Sequence, residues 1–444
     1  MGKYFGTDGF RGEANINLTV EHAFKIGKFL GANSADGKRA RIVIGKDTRL
    51  SSYMFEYALV AGLTSVGADA YLLHVTTTPS VSFVTRSEGF DGGIMISASH
   101  NLYTDNGIKL INRHGEKMSD EVTDKIEKYL DSPDNIPLAT GERSGRTVDY
   151  VLGRNRYTGY IISLARHSYK GLKVGLDAAN GSAWMLAKSV FDALGAKTYV
   201  IGNDPSGVNI NLGCGSTHIE SLCEIVRREG LDVGFAFDGD ADRCLAVDEC
   251  GRVISGEGIL FAAAKYLKSR GALEGDTVVT TVMSNLGLSD ALKACDIKCI
   301  STDVGDRFVW EAMREGGFSL GGEESGHIIF SKYATTGDGL ITAIKMMEIL
   351  IESKLPASRL CDGLVMYPQI TKSVRVGDKS AAISDDGVQN AYKNAEKTLH
   401  GVGRILLRPS GTEPVVRVMA EHPDESVCRA AVENIAAAIE RSGK

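Results

Sequence analysis

The chain has 444 residues, of which 43% are hydrophobic and 24% are charged, and its formal net charge is −6. This length predicts about three to four domains, and no apolar run approaches the roughly 20 residues that would cross a bilayer. The acidic balance argues against a general nucleic-acid binder, while the lack of an apolar leader and eight scattered cysteines predict a protein of the reducing cytoplasm.

Three stretches share a pattern in which a short apolar strand leads into a polar loop and then into a helix. They are RIVIGKDTRLSS from Arg41, LKVGLDAANGSA from Leu172 and DTVVTTVMSNLG from Asp276. This alternation predicts an α/β fold with mixed, mostly parallel sheets. We therefore expect three related α/β domains, over residues 1–150, 151–254 and 255–367.

The C-terminal part of the chain follows a different order. After Pro368, the segments ITKSVRV, RILL and VVRVM are typical of strands, and residues 387–399 and 425–440 are typical of helices. We expect a smaller α+β domain over residues 368–444.

The segment GGIMISASHNLYTDNGIKL begins as a strand at Gly92 and carries Ser99 and His100 into a loop that ends at Lys109. A serine hydrolase is disfavoured because the motif G-x-S-x-G is absent. Ser99 can instead carry a phosphoryl group, which needs cations and a metal around it. The plainer alternative is a loop whose serine and asparagine only cap the next element.

The segment DGDADR places three aspartates at every second position after the apolar run VGFAF: Asp238, Asp240 and Asp242. Three carboxylates that turn toward one point suit Mg²⁺. An EF-hand calcium loop is disfavoured because Arg243 stands where that loop needs glycine, and because strands flank the segment. A solvated acidic turn is the plainer alternative.

Two further loops combine glycine with polar side chains. In LGGEESGHI, the carboxylate of Glu323 and the hydroxyl of Ser325 can bind sugar hydroxyls, and His327 can transfer protons. The plainer alternative is a turn with one buried histidine. RPSGTEPVVRV places hydroxyls and backbone N–H groups between two guanidiniums, an arrangement that can bind a phosphate. The candidate residues are Arg408, Ser410, Gly411, Thr412 and Arg417. The plainer alternative is a hairpin turn.

The order and spacing of these segments resemble those of the α-D-phosphohexomutases, and most closely their bacterial phosphoglucosamine mutase branch. The shared segments extend over the whole chain: KYFGTDGFRGEAN, ISASHN, DGDADR, GGEESGH and RPSGTEPVVRVM. As a set these motifs are specific. The resemblance implies four domains around a central cleft, each of which contributes one loop.

The resemblance also implies a role for each residue. Ser99 would be the phosphoserine that exchanges its phosphoryl group with the sugar, and an oxygen of that phosphate would bind one Mg²⁺ together with Asp238, Asp240 and Asp242. Positive or proton-transferring groups near the phosphoserine would be Arg11, His100, Lys109, Arg243 and His327. The sugar would be bound by Glu323 and Ser325, and its non-reacting phosphate by Arg408, Ser410, Gly411, Thr412 and Arg417.

Three positions depart from the family pattern. Leu102 stands where proline usually follows SASHN, Lys46 replaces a common arginine, and Glu324 stands where phosphoglucosamine mutases usually have glutamine. None is a proposed nucleophile or metal ligand, but the change at Glu324 bears on which sugar the loop accepts.

The reaction implied by the resemblance starts when phosphoserine donates to glucosamine 6-phosphate and forms a 1,6-bisphosphate. This intermediate turns over and returns its other phosphate to Ser99, which releases glucosamine 1-phosphate for amino-sugar nucleotide and cell-wall precursor synthesis. Three aspartates and a phosphoserine of about −2 charge exceed the charge of one Mg²⁺, so nearby cations are required. A hexose 1,6-bisphosphate is the expected activator.

Two alternative functions stay open at this point. One is a phosphomannomutase or phosphoglucomutase with the same chemistry on another hexose, and the other is a calcium- or phosphate-binding module without turnover. The expected partner is a small-molecule sugar phosphate, with no nucleic acid and no membrane. The protein is expected to be a monomer or a homodimer.

Overall fold

The structure is a computed structural model that describes residues 2–35, 37–133, 135–410 and 414–442. The chain forms two compact units, Met1–Met283 with Ile297–Asp362, and Ser284–Asp296 with Gly363–Lys444. Within the described residues, no helix combines the length and the apolar character that crossing a bilayer requires.

The first sheet of the first unit has seven strands: β1 (Phe5–Gly6), β2 (Gly9–Glu13), β3 (Arg41–Lys46), β4 (Asp69–Val75), β5 (Gly92–Ile96), β6 (Asp105–Asn112) and β7 (Thr147–Asp149). Their order in space is β1-β2-β6-β5-β3-β4-β7. The helices of this part are α1 (Val20–Asn33), α2 (Leu50–Ser65), α3 (Thr78–Ser87) and α4 (Asp120–Asp131).

The second sheet has the strand order β12-β11-β10-β8-β9. It is built from α5 (Val151–Ser163), β8 (Lys173–Asp177), α6 (Leu186–Ala193), β9 (Lys197–Ile201), α7 (Glu220–Glu229), β10 (Val233–Phe237), β11 (Cys244–Asp248) and β12 (Val253–Ile254).

The third sheet has the strand order β14-β13-β15-β16. Its part of the chain contains α8 (Gly256–Ser269), β13 (Thr277–Thr281), α9 (Leu286–Ala294), β14 (Lys298–Thr302), α10 (Asp306–Gly316), β15 (Leu320–Gly322), β16 (Ile328–Phe330) and α11 (Gly339–Ser353). The connection from β13 to β14 runs through α9, which belongs to the second unit.

The three sheets repeat one topology. In each, three strands pair in parallel and a fourth lies antiparallel beside the third, in the sets β4-β3-β5-β6, β9-β8-β10-β11 and β14-β13-β15-β16. The strands β3, β8 and β13 are the ones that begin the three related stretches of sequence. The prediction of three related α/β domains with mixed sheets is confirmed.

Burial on both faces explains why the parallel strands are nearly continuous apolar runs. In β3, Ile42 and Ile44 pack into the core that includes residues of α1, α2 and α4, while Val43 between them packs into the core on the other face with residues of α3. Successive strand residues point to opposite faces, so a strand covered by helices on both sides is apolar throughout.

The second unit contains a three-stranded antiparallel sheet, in the order β17-β19-β18. In addition to α9, the elements of this unit are β17 (Gln369–Arg375), α12 (Lys379–Ile383), α13 (Asp386–Leu399), β18 (Arg404–Pro409), β19 (Val415–Glu421) and α14 (Glu425–Ser442). The smaller α+β domain is therefore confirmed, with α12 as an element that the sequence pattern did not indicate. The domain boundaries at residues 150, 254 and 367 stay predictions.

Candidate active site

Three loops that the sequence singles out occupy equivalent places in the three sheets of the first unit. Each connects the third parallel strand to its antiparallel neighbour: residues 97–104 follow β5, residues 238–243 follow β10 and residues 323–327 follow β15. We call them the Ser99 loop, the Asp238 loop and the Glu323 loop. The carboxyl ends of parallel strands are where α/β proteins bind their ligands.

Ser99 lies in direct contact with the Asp238 loop. It is 1% exposed, its φ of 51° is in the left-handed region, and its hydroxyl donates to Asp238 Oδ2 over 2.5 Å. The close approach requires glycine at position 239, because a Cβ on Gly239 would lie 2.4 Å from the carbonyl oxygen of Ser99. The hydroxyl and the aspartates therefore belong to one site.

The three aspartates of the Asp238 loop are buried, and each offers a carboxylate oxygen within 4.8 Å of the others. Oδ1 of Asp240 and Oδ1 of Asp242 are buried without a hydrogen-bond partner among the described residues. Burial, followed by the charges of the other two carboxylates, raises the pKa of Asp238 well above its usual range. Hard oxygen ligands with unsatisfied lone pairs at one point fit Mg²⁺.

Lys109 on β6 supplies a positive charge to this cluster. Its Nζ lies close to three carboxylates, at 2.7 Å from Asp240, 3.2 Å from Asp242 and 3.0 Å from Asp8. Although burial alone would lower it, these carboxylates raise the pKa of Lys109 well above its usual range. Asp8 also forms an ion pair with Arg11 of β2, so two of the predicted cations meet at this carboxylate.

Arg243, the last residue of the Asp238 loop, lies beside His100. Its Nη1 is 3.2 Å from His100 Nδ1, and its backbone N–H donates to Asp238 over 3.2 Å. The same ring nitrogen of His100 lies 3.4 Å from the hydroxyl of Ser99. Burial, followed by the positive charges of Arg243 and Arg11, lowers the pKa of His100 to about 4. A neutral ring can accept from Arg243 and hold the guanidinium next to Ser99.

A line of close polar contacts connects Lys109 to His327 in the Glu323 loop. Asp8, which contacts Lys109, lies 2.6 Å from Lys117 Nζ. Lys117 Nζ lies 2.7 Å from Asp306 Oδ1, and Asp306 Oδ2 lies 3.2 Å from His327 Nε2. Side chains from the parts of the chain that form the first and the third sheet are thus held in one partly buried network.

The Glu323 loop carries a carboxyl, a hydroxyl and an imidazole within five residues. Burial raises the pKa of the Glu323 carboxyl, and the Ser325 hydroxyl is buried without a hydrogen-bond partner among the described residues. The ring of His327 is oriented by the N–H of Gly337, which donates to Nε2 over 3.2 Å. Groups of this kind can bind the hydroxyls of a ligand.

A cavity of about 460 Å³ opens beside the charged network. Its wall includes four carboxylates, three cationic side chains and a threonine: Asp8, Asp120, Asp124, Asp242, Lys109, Lys117, Arg307 and Thr78. This volume is in the range of small-molecule sites, and the lining offers charged groups of both signs to a polar ligand.

The predicted phosphate-binding residues lie in the second unit, which is described by itself. Arg408 of β18 and Arg417 of β19 are directly opposite each other in the antiparallel ladder. Directly opposite residues of an antiparallel pair project to the same face of the sheet, so the two guanidiniums can both reach one anion. The N–H of Ser410 donates to the carbonyl of Val415 over 2.9 Å. Gly411 and Thr412 lie outside the described residues.

The sequence reasoning missed several charged groups around the site: Asp8, Asp47, Arg49, Lys117 and Asp306. A signal for two of them was present, because Asp47 and Arg49 directly follow β3 in a stretch that served only to predict the fold. Lys117 and Asp306 are 189 residues apart, and no local pattern indicates that they pair.

Models of one protein family match nearly the whole chain. Phosphoglucomutase/phosphomannomutase alpha/beta/alpha domains I, II and III match residues 2–136, 155–251 and 255–367, and the C-terminal domain of the same family matches residues 372–439.

Two proteins named phosphoglucosamine mutase are similar over the full length. The one from Lachnospira eligens is 62% identical and the one from Lachnoclostridium phytofermentans is 59% identical, each over 100% of this chain and 99% of the relative. A crystal structure of a phosphoglucomutase/phosphomannomutase family protein from Burkholderia thailandensis has a TM-score of 0.82 at 25% identity, over 100% of this chain and 98% of that one. The crystal structure of Aspergillus fumigatus N-acetylphosphoglucosamine mutase, in complex with GlcNAc-6P and magnesium, has a TM-score of 0.70 at 17% identity. The match covers 99% of this chain and 96% of that one.

Proposed function

The chain belongs to the phosphoglucomutase/phosphomannomutase family, and we propose that it acts as a phosphoglucosamine mutase, an isomerase that interconverts glucosamine 6-phosphate and glucosamine 1-phosphate. The observation that carries the chemistry is the hydroxyl of Ser99, which donates to Asp238 at the edge of a buried cluster of three aspartates. The choice of glucosamine is supported by relatives of that name at 62% and 59% identity.

In the proposed reaction, phosphorylated Ser99 donates its phosphoryl group to the free hydroxyl of the sugar phosphate. The bond from phosphorus to the serine oxygen breaks, a bond to the sugar oxygen forms, and the hydroxyl proton passes to a group of the protein. The bisphosphate then turns over and returns the other phosphoryl group to Ser99. Phosphoryl transfer asks a protein mainly for alignment and charge stabilisation, and Arg11 and Arg243 are suited to the latter.

Mg²⁺ would be held by Asp238, Asp240 and Asp242 together with an oxygen of the phosphoserine. When bound, it would supply positive charge to the transferring phosphoryl group. The fit is supported by the two buried carboxylate oxygens that have no hydrogen-bond partner among the described residues. A magnesium complex is also known for the fold relative from Aspergillus fumigatus.

Lys109 and His327 are the proposed proton-transfer groups, and they differ in what they can do. The three carboxylates around Lys109 raise its pKa, which keeps the side chain in the ammonium form as a counter-charge and makes it a weak proton donor. His327 contacts both Asp306 and the N–H of Gly337 through Nε2, which leaves Nδ1, buried without a hydrogen-bond partner among the described residues, as the ring nitrogen that can exchange a proton with a ligand. We propose further that Glu323 and Ser325 bind the sugar hydroxyls.

The non-reacting phosphate would bind to the loop between β18 and β19, through Arg408, Ser410, Gly411, Thr412 and Arg417. This part of the proposal is supported by the direct opposition of the two arginines in the ladder. A site of this kind accepts either end of a bisphosphate, because it recognises phosphate rather than one face of the sugar.

We propose a cytoplasmic location, because no disulfide joins any two of the eight cysteines, all of which are among the described residues. A hexose 1,6-bisphosphate is the proposed activator that phosphorylates Ser99. The partner is a small-molecule sugar phosphate.

A phosphorus NMR assay tests this function. The protein is incubated with Mg²⁺, a trace of glucose 1,6-bisphosphate and, in separate reactions, the 6-phosphates of glucosamine, glucose and mannose. We expect glucosamine 1-phosphate to form with the highest kcat/KM. Faster turnover of glucose or mannose phosphate would contradict the assignment of the sugar, and binding without isomerisation of any of them would contradict the mutase function.

A further inference from the structure

Arg49 is a long cationic side chain with no exposed surface, and nothing in the proposed chemistry uses it. Its guanidinium donates to four backbone carbonyls of the segment that carries and follows Ser99: Ser99 (3.0 Å), Asn101 (2.8 Å), Asp105 (3.0 Å) and Leu102. Its Nε donates to Asp47 over 2.7 Å. Such a fork of donors fixes backbone geometry more tightly than a lysine can.

Asp47 completes a closed ring of hydrogen bonds around the backbone of Ser99. The Ser99 N–H donates to Ser97 Oγ over 2.9 Å, and the Ser97 hydroxyl donates to Asp47 over 2.7 Å. Asp47 accepts from Arg49, and Arg49 donates to the carbonyl of Ser99. The ring therefore holds Ser99 from both its N–H and its carbonyl.

The second sheet contributes to the same carbonyls. Asn211, which is 1% exposed, donates through Nδ2 to Ser99 over 2.8 Å and to Asn101 over 2.9 Å. Its own N–H donates to Ala179 in the loop after β8. The Ser99 loop is thus held by side chains from two parts of the chain, the loop after β3 and the segment between β9 and α7.

Ser99 needs this support because its φ of 51° is unfavourable for a residue with a Cβ. Conformations of this kind persist only where the surroundings determine them. The unusual backbone turns the hydroxyl toward Asp238, where the phosphoryl group would be transferred.

We propose that Arg49, Asp47 and Asn211 are positioning residues that hold Ser99 in the geometry for phosphoryl transfer. This inference rests on the proposed function, because it takes Ser99 as the phosphoryl carrier. These three residues act on the backbone of Ser99, whereas the catalytic residues touch the reacting atoms.

Two variants and one matched control test the proposal. Arg49→Lys keeps the charge but loses most donors, and Asn211→Gly loses the amide while it tolerates the φ of 57° at this position. The control is Lys46→Met, which removes an ion pair of similar burial between β3 and α2: Lys46 is 1% exposed and its partner Glu56 is 2% exposed. The side-chain hydrogen bond of Lys46 goes to Glu56 rather than to the Ser99 loop.

We expect kcat to fall about 100-fold in Arg49→Lys and about 10-fold in Asn211→Gly, with KM for the sugar phosphate changed less than about two-fold, since misplaced reacting groups lower the rate of the chemical step. Hydrogen exchange of residues 97–105 should be faster in both variants. Lys46→Met should lower thermal stability and keep kcat and exchange in this segment near the wild-type values.

Two outcomes would overturn the inference. The first is that Asn211→Gly keeps the wild-type kcat and the wild-type rate of hydrogen exchange in residues 97–105. This result would overturn the inference even if Arg49→Lys does not fold. The other is an equal loss of kcat in Lys46→Met, which would make the effect one of stability. A wild-type protein that is itself inactive would contradict the proposed function instead, and the exchange measurement would still test the positioning role.

Discussion

The ammonium of Lys109 lies 2.7 Å from a carboxylate oxygen of Asp240, although the two residues belong to different sheets. The pair is buried, with 5% of the Lys109 side chain and none of the Asp240 side chain exposed. Lys109 thus lies next to three aspartates, and it shares two of them, Asp240 and Asp242, with the proposed metal site.

Replacing Lys109 by methionine tests this relationship. Removal of one partner of a buried pair leaves an uncompensated charge and should lower the free energy of unfolding of the metal-free protein by about 3–5 kcal/mol. Because Mg²⁺ can replace the lost charge, it should raise the melting temperature of Lys109→Met more than that of the wild type. The mutase rate should fall in the same variant.

The control for this experiment is Lys345→Met, which breaks a pair with Glu348 of comparable burial. Its melting temperature should fall without any added response to Mg²⁺. An equal response of both variants to Mg²⁺ would show that the metal does not bind near Lys109.

The C-terminal loop is tested by Arg417→Lys. Arg417 lies opposite Arg408, and a lysine keeps the charge but loses the fork that grips a phosphate in two places. We expect KM to rise and kcat to fall, with the melting temperature nearly unchanged and phosphorylation of Ser99 preserved. Normal kinetics combined with a loss of stability would make Arg417 a structural residue.

A prediction about pH concerns Asp338, which caps α11 by accepting from the N–H of Ile341 and is 2% exposed. Burial raises the pKa of Asp338 from 3.8 to about 6. The raised pKa means that the folded state binds this proton more tightly, so the associated stability is present below pH 4 and is lost as the pH rises to about 6. The loss amounts to about 3 kcal/mol at most.

Asp338→Asn should keep the cap and remove this pH dependence. We expect the difference in urea midpoint between the variant and the wild type to shift in favour of the variant from pH 4 to pH 7. Parallel curves for the two proteins over this range would contradict the raised pKa.

The sequence predicts the α/β fold because three apolar strands, each followed by a polar loop, leave a visible pattern in the chain. The Ser99 and Asp238 loops are predictable for the same reason, since their polar residues directly follow a buried strand. The short helix α12, with five residues, leaves no such periodicity.

Other parts of the site depend on contacts that no local pattern contains. Lys117 meets Asp306, and Asn211 meets Ser99, only because the sheets pack together. Likewise, the opposition of Arg408 and Arg417 follows from the strand register rather than from their spacing. The role of Arg49 in particular depends on carbonyl groups, which every residue has.

The most direct test of the account is the mass of the protein during one cycle of the reaction. Wild type and Ser99→Ala are incubated with Mg²⁺ and glucose 1,6-bisphosphate, analysed by intact mass and peptide mapping, and then given glucosamine 6-phosphate. We expect one phosphoryl group on Ser99 of the wild type, its transfer to the added sugar, and neither event in a normally folded Ser99→Ala. Full mutase activity in Ser99→Ala, or turnover by a wild type that never carries phosphate on Ser99, would contradict the central claim.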